Sequence, residues 1–424
     1  MSSVKLTPSA AAVANVEGAG TVGRRAAGEG GALGGGTSQK GGSPGAGSAA
    51  AVPPEDAVGV VVIGRNEGER LKRCLRSLLA QGAGPIVYVD SGSVDDSVAF
   101  SRSLGVDVVN LDTSIPFTMA RGRNAGFEEL SRRYPALRWV QFVDGDCEVR
   151  PDWIARAREV LSGRPDVAAV CGRRRERHPE ASIYNRLADM EWNAPIGEVD
   201  ECGGDVLFRS PVFLDLGGFN PGMIAGEEPE LCVRVRGAGF KVLRIDAEMT
   251  LHDAAITRFS QWWTRAVRGG HSYAEGMALH GLGFSRHNVR RTASALTYGL
   301  FLPALWCGAL AFAPLVFAPL GIGLGPARLV LWLVPLAFLR AAHGAYRQRR
   351  RQGDPAQHAA LYAAFCMLGK VPESIGVLTY WSNRLRGRYS GLMEYKAPSV
   401  AQQAEHAPAV AEPQQPQNGV ARPC

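Results

Sequence analysis

Two acidic clusters in this 424-residue chain have the residue types and spacing to do chemistry. The first is Asp144-Gly145-Asp146, placed where the apolar run 139–143 opens into a loop. Carboxylates at i and i+2 around a glycine can both approach one hard cation, and the glycine leaves space for a diphosphate beside them. The second is Gly226-Glu227-Glu228-Pro229-Glu230. A carboxylate there could take a proton from an attacking hydroxyl. The same acids could instead be the first turn of a helix, where negative charge suits the helix dipole.

Residues of this kind need a scaffold, and the sequence supplies one. Residues 58–63 form a continuous apolar run of strand length, as expected of a strand buried on both faces. Residues 69–81 place Leu71, Cys74, Leu75, Leu78 and Leu79 at helical spacing. Strands are expected at 86–89, 106–111 and 139–143, with helices ending near 104 and covering 120–134. The resulting βαβαβαβ order predicts an α/β fold, a parallel-rich sheet with helices on both faces. Ligands in such sheets lie at the carboxyl ends of the strands, where every polar cluster of this half falls.

Several motifs in this frame resemble those of family 2 glycosyltransferases. They are Gly64-Arg65-Asn66-Glu67, Asp90-Ser91-Gly92-Ser93 and Ala120-Arg121-Gly122-Arg123-Asn124-Ala125-Gly126, then Asp144-Gly145-Asp146, Gly217-Gly218-Phe219 and Glu227-Glu228. They occur in the family's order over residues 58–274. The resemblance implies a GT-A-type nucleotide-binding sheet and transfer of one sugar from a nucleotide-sugar donor, with inversion. It implies that Asp90 contacts the nucleoside beside Asn66 and Glu67, with Arg121 and Asn124 near ribose and diphosphate. Asp144 and Asp146 would hold manganese or magnesium on the diphosphate, Asp144 also touching the donor. His252 would be a further metal ligand or a histidine satisfied structurally. Glu228 would be the base, with Glu227 the competitor, because the family's usual Glu-Asp is Glu-Glu here. The loop Cys202-Gly203-Gly204-Asp205 would lie under the acceptor, where Gly204 and Asp205 could contact a sugar hydroxyl. Gln261-Trp262-Trp263-Thr264-Arg265 departs from the motif of processive synthases, so a single transfer is expected. Two alternatives are a nucleotidyltransferase and a non-catalytic nucleotide-sugar-binding scaffold. The first lacks its glycine-rich basic loop after the first strand, and the second should have lost a carboxylate.

Composition adds the surroundings. Residues 1–57 and 397–424 are Gly, Ala, Ser, Gln and Pro rich, and are expected to be disordered tails around a catalytic domain at 58–285. The first tail lacks the apolar stretch of a signal peptide, which predicts a domain facing the cytoplasm. The eight cysteines show no metal-like spacing, and free thiols are expected. The formal charge of +7 is explained by arginines at 286–291 and 347–351, so nucleic acid is not an expected partner. Between these arginines, residues 292–327 carry no charge, longer than the ~20 residues that cross a bilayer. A hairpin over 286–350, turning around 321–326, is expected in the inner (cytoplasmic) membrane, among membrane lipids. Its prolines allow a re-entrant pair instead. Residues 351–396, with Lys370 and Glu373 inside an apolar run, read as too polar to span and as an interfacial helix. The acceptor would then be a lipid-linked or cell-envelope glycan.

Overall fold

A computed structural model of the chain describes residues 57–317, 325–388, 390, 391 and 393. The expected tails lie outside these, apart from Ala57, as does most of the 321–326 turn.

The first half forms as the apolar pattern requires. Strand β1 (Val58–Gly64) has every residue but its last buried, and helix α1 (Glu69–Ala80) buries Leu71, Cys74, Leu75 and Leu78 in the same core. Then come β2 (Ile86–Asp90), α2 (Ser97–Ser103), β3 (Asp107–Asn110), α3 (Met119–Arg133) and β4 (Trp139–Asp144). These four strands pair in parallel in the order β3-β2-β1-β4.

Beyond β4 the sheet becomes mixed. The chain runs through β5 (Cys147–Val149), α4 (Trp153–Gly163), β6 (Val167–Glu176), α5 (Ile183–Glu191), β7 (Gly197–Val199), β8 (Val206–Arg209), α6 (Ser210–Asp215), α7 (Glu227–Gly237) and β9 (Lys241–His252). The order continues β4-β8-β6-β9-β5, with β7 on β9. β8 is antiparallel to both β4 and β6, while β6 and β9 are parallel. An antiparallel neighbour puts the residues before β8 beside those that follow β4. Gly204-Asp205 thereby reaches Asp144, through the register Phe142↔Val206. Phe142, Phe208, Phe213 and Phe219 pack beneath this junction, with ring centroids 4.9–6.5 Å apart.

The last part is helical: α8 (Phe259–His280), α9 (Val289–Leu296), a π-helical turn (Thr297–Phe301), α10 (Leu302–Phe317), α11 (Gly325–Arg351), α12 (Ala356–Leu368) and α13 (Lys370–Leu385). Three stretches are long and apolar enough to cross a membrane: Val289–Phe312, Leu329–Arg351 and Ala356–Leu385. The third corrects the expectation that it is too polar. Its Lys370 Nζ and Glu373 carboxylate lie 2.7 Å apart and neutralise one another. It is also 33% buried within the protein, against 6% for each of the others. α13 docks along α8, burying Pro372, Ser374, Gly376, Val377 and Tyr380. The crossing is close: a Cβ on Gly270 would overlap the Glu373 carbonyl, and one on Gly376 the Val267 carbonyl.

Candidate active site

The loops after β1 and β2 are zipped together. Asn66, at φ 54°, donates its N–H to Ser93 Oγ (2.9 Å) and accepts the Val94 N–H on Oδ1 (2.8 Å). The buried Asp90 carboxylate accepts N–H bonds from Gly92 (3.0 Å) and Ser93 (2.9 Å) and the Tyr88 hydroxyl (2.9 Å). Glu67 pairs with Arg70 at 2.8 Å. Residues 66, 67 and 90 therefore form one rim, as their positions after neighbouring strands require.

The two polar residues expected from α3 point elsewhere. Arg121 donates to the carbonyls of Ile115 (2.9 Å), Pro116 (2.8 Å) and Asp112 (3.2 Å), bracing the loop before the helix. Asn124 donates to the Phe219 carbonyl (2.7 Å) and accepts its N–H (3.0 Å), so both ends of its amide are engaged.

The residue that reaches the centre is Arg123. It lies four before Phe127 and seven before Leu130, on the stripe that α3 buries, and only 1% of its side chain is exposed. That periodicity was the signal that could have singled it out. Its guanidinium meets Asp144 Oδ1 at 2.8 Å, Glu227 Oε1 at 2.8 Å and Glu228 Oε1 at 3.1 Å, and stands 5.5 Å from the Phe219 ring centre. A second arginine, Arg174 of β6, meets Asp205 Oδ2 at 2.9 Å and Asp144 Oδ2 at 3.3 Å. Burial by itself would raise the Asp144 carboxyl, but Arg123 and Arg174 hold it well below the usual carboxylate range.

Gly204 lies directly over this cluster. A Cβ there would overlap the Arg123 guanidinium and come within 3.0 Å of Glu228 Oε1 and 3.1 Å of Asp144 Oδ2. Asp205 is placed differently from the expectation of a sugar contact. Its carboxylate is fully buried, accepting the Asp144 N–H (3.0 Å) and the Thr250 hydroxyl (2.6 Å) as well as Arg174. It braces the Asp-Gly-Asp loop from below.

The acids that open α7 have distinct surroundings. Glu230 pairs with Arg234 (2.6 Å) and His280 (2.8 Å), which is the structural role of a helix-start acid. Glu227 is 1% exposed. Glu228 keeps 13% of its side chain exposed, and its carboxyl is raised to about 7, by burial first and then by the charge of Glu227, against the pull of Arg123.

Asp146 faces another way. β5 pairs with β9 so that Cys147 lies opposite His252, which brings His252 Nε2 to 3.4 Å from Asp146 Oδ2. Both side chains are buried. The His252 Nδ1 has no hydrogen-bond partner and lies 3.7 Å from Glu176 Oε2. Asp146, Cys147 and His252 bring ligand atoms within 4.8 Å of one another. Asp144 stands outside this group and instead falls with Cys147 and Asp205.

Residues 59–208 match the family model described as Glycosyl transferase family 2. Glycosyltransferase AglE of Haloferax volcanii is 24% identical over 290 residues, covering 60% of this chain and 93% of that protein. The pre-mycofactocin glycosyltransferase of Mycobacterium tuberculosis is 25% identical over 247 residues, 54% of this chain and 49% of that protein. Among solved structures, the mannosyltransferase PcManGT from Pyrobaculum calidifontis in complex with GDP-Man and Mn2+ is 16% identical, covering 79% of this chain and 90% of that one at a TM-score of 0.48. The matched segment, which carries Asn66, Asp90, Asp144 and Asp205, is a family 2 glycosyltransferase domain.

Proposed function

We propose that this enzyme transfers a single sugar from a nucleotide-sugar donor to a hydroxyl of a lipid-linked or cell-envelope glycan acceptor, with inversion, at a membrane surface facing the cytoplasm. The observation that carries the reading is Glu228. It is a part-exposed carboxylate at the start of α7, raised to about 7, and linked through Arg123 to Asp144 of the Asp-Gly-Asp loop. A group of that proton affinity can accept a proton at neutral pH as a hydroxyl attacks. In the reaction, the acceptor oxygen forms its bond to the anomeric carbon while the bond to the diphosphate oxygen breaks. The acceptor proton goes to Glu228, and the electron pair leaves with the nucleoside diphosphate. Asn66, Glu67 and Asp90 form the rim that would hold the nucleoside, and the backbone of Gly204 forms the floor between base and diphosphate.

The donor set at Asp146 and His252 fits a divalent metal: a buried carboxylate and imidazole converge, and the other ring nitrogen is left unpartnered. An imidazole ligand suits manganese better than magnesium, which prefers oxygen. Asp146 and His252, with Asp144 alongside, would hold it. When bound, the metal would offset charge developing on the diphosphate. Arg123 and Arg174 keep Asp144 ionised.

The apolar stretches Val289–Phe312 and Leu329–Arg351 support the membrane hairpin over 286–350 behind a catalytic domain at 58–285. Residues 351–396 include the helix that closes over α8. The test is hydrolysis of a panel of nucleotide sugars by the purified protein with manganese. Slow turnover of one of them, lost in Asp146→Asn, is expected; turnover of none would sink the proposal.

A further inference from the structure

Between α8 and α9 the chain makes a tight projection, residues 281–288, beyond the 59–208 family match. Its backbone is folded on itself. The Gly281 N–H donates to the Met277 carbonyl (2.7 Å), that of Gly283 to His280 (2.9 Å), that of Arg286 to Gly283 (3.1 Å) and that of Val289 to Arg286 (3.2 Å). His287 is buried at the base, where a Cβ on Gly276 of α8 would come within 2.9 Å of its ring. A loop held in this way presents its tip outward.

That tip is apolar. Leu282 is fully exposed and Phe284 is 69% exposed. One exposed leucine needs no explanation, but two large apolar side chains on a built loop mark a contact surface. Phe284 is anchored on one side by the last turn of α7: a Cβ on Gly237 would stand 3.4 Å from its Cε1, and the Arg236 guanidinium is 5.9 Å from its ring centre.

What covers the tip follows from where the loop leads. The membrane-length stretch Val289–Phe312 begins five residues after Phe284. Five residues of chain reach at most about 18 Å, less than the ~30 Å of a hydrocarbon core, so the tip stays near the point where that stretch would enter a bilayer. Charge agrees with this placement. No aspartate or glutamate occurs between Glu275 and Asp354, so nothing in this part of the sequence repels an anionic surface. Arg286 and Arg290 are exposed, whereas Arg291 is taken up by Glu201, donating to Oε2 at 2.9 Å. Exposed apolar side chains beside arginines suit the boundary between headgroups and acyl chains.

We infer that residues 282–290 are an interfacial wedge: Leu282 and Phe284 enter the acyl boundary of a bilayer, and Arg286 and Arg290 meet the phosphates of anionic lipids. This rests on the membrane attachment in the proposed function. Because Phe284 rests on the end of α7, the wedge ties the helix that opens with Glu227 and Glu228 to the lipid surface.

The test is photocrosslinking of the whole chain in vesicles of equimolar phosphatidylglycerol and phosphatidylcholine. Benzoylphenylalanine replaces Leu282, or Trp332 within the second apolar stretch, or the exposed Leu79 of α1. Lipid adducts, read by mass, are expected at 282 within about threefold of the yield at 332, and at 79 about tenfold lower or less. Phosphatidylglycerol should exceed phosphatidylcholine among the 282 adducts by about twofold or more, and the excess should vanish in Arg286→Gln/Arg290→Gln. Adducts at 332 without adducts at 282, or equal yields at 79 and 282, would overturn the wedge. So would a crosslink from 282 to a second copy of the chain in place of lipid. Equal amounts of the two lipids at 282 in the wild-type background would remove the role of the two arginines. No adduct at either 282 or 332 would overturn the membrane attachment itself and leave the sugar-transfer reading standing.

Discussion

Asp144 and Asp146 are separated by one glycine, yet they face different side chains. Asp144 has two guanidinium groups against it, at 2.8 and 3.3 Å, and its own N–H is held by Asp205. Asp146 faces an imidazole at 3.4 Å. Strand alternation would put residues two apart on one face; these diverge because β4 ends at Asp144 and the chain turns at Gly145. The lesson is that an Asp-x-Asp triplet need not be a symmetric pair of ligands. Here one acid belongs to a cationic network that also holds Glu228, the proposed base, and the other belongs to a corner that would suit a metal.

The largest effect should come from the network side. Glu228→Gln is expected to lower transfer by about 10²-fold or more while donor affinity stays near wild type, measured as rates and dissociation constants side by side. Glu227→Gln should act differently, through stability. It breaks a buried pair with Arg123, so its thermal midpoint should fall while that of Glu228→Gln holds. Equal losses of transfer with unchanged midpoints would erase the distinction between the two acids.

On the metal side, Asp146→Asn should weaken manganese binding by about 10- to 100-fold, and His252→Ala by about tenfold. Asp144→Asn should weaken it less than either. Manganese titration followed by electron paramagnetic resonance would rank them, and chelation should abolish donor turnover in the wild type. If Asp144→Asn proved the most damaging to metal affinity, the two acids would be one site after all.

A smaller and reversible effect is expected from pH. Glu228 must be unprotonated to accept a proton, so transfer should rise about tenfold per unit below its pKa and level off above about 7. The limb should vanish in Glu228→Gln. Least of all should come from Arg121→Ala, which removes only a brace on the 112–116 loop and should change transfer by no more than about threefold.

What the sequence made readable, and what it hid, follows from the range of the interactions. The strands β1 to β4 were visible because each is a short apolar run buried on both faces, flanked by helices of clear periodicity. The antiparallel insertion of β8 was not, since nothing local in Val206–Arg209 names its neighbours. The rim of Asn66, Glu67 and Asp90 was readable because strand ends fix it. Arg121 and Arg123 stand two residues apart in one motif, yet helical phase separates them and only Arg123 continues the buried stripe of Phe127 and Leu130. Glu227 and Glu228 could not be told apart from their order alone. What separates them is which carboxylate the fold leaves partly open, and α3 decides that from more than a hundred residues away.

The crossing of α8 and α13 has a geometric consequence. At Gly270 and Gly376 the two helices meet backbone against backbone, with no side chain between them to yield. α8 in turn sits under the turn that bears Glu228. With α12 and α13 forming the third membrane-length stretch, the acidic turn is carried at a set height from the apolar helices. Under the proposed function, that fixed height would set how far from a bilayer an acceptor hydroxyl could be reached.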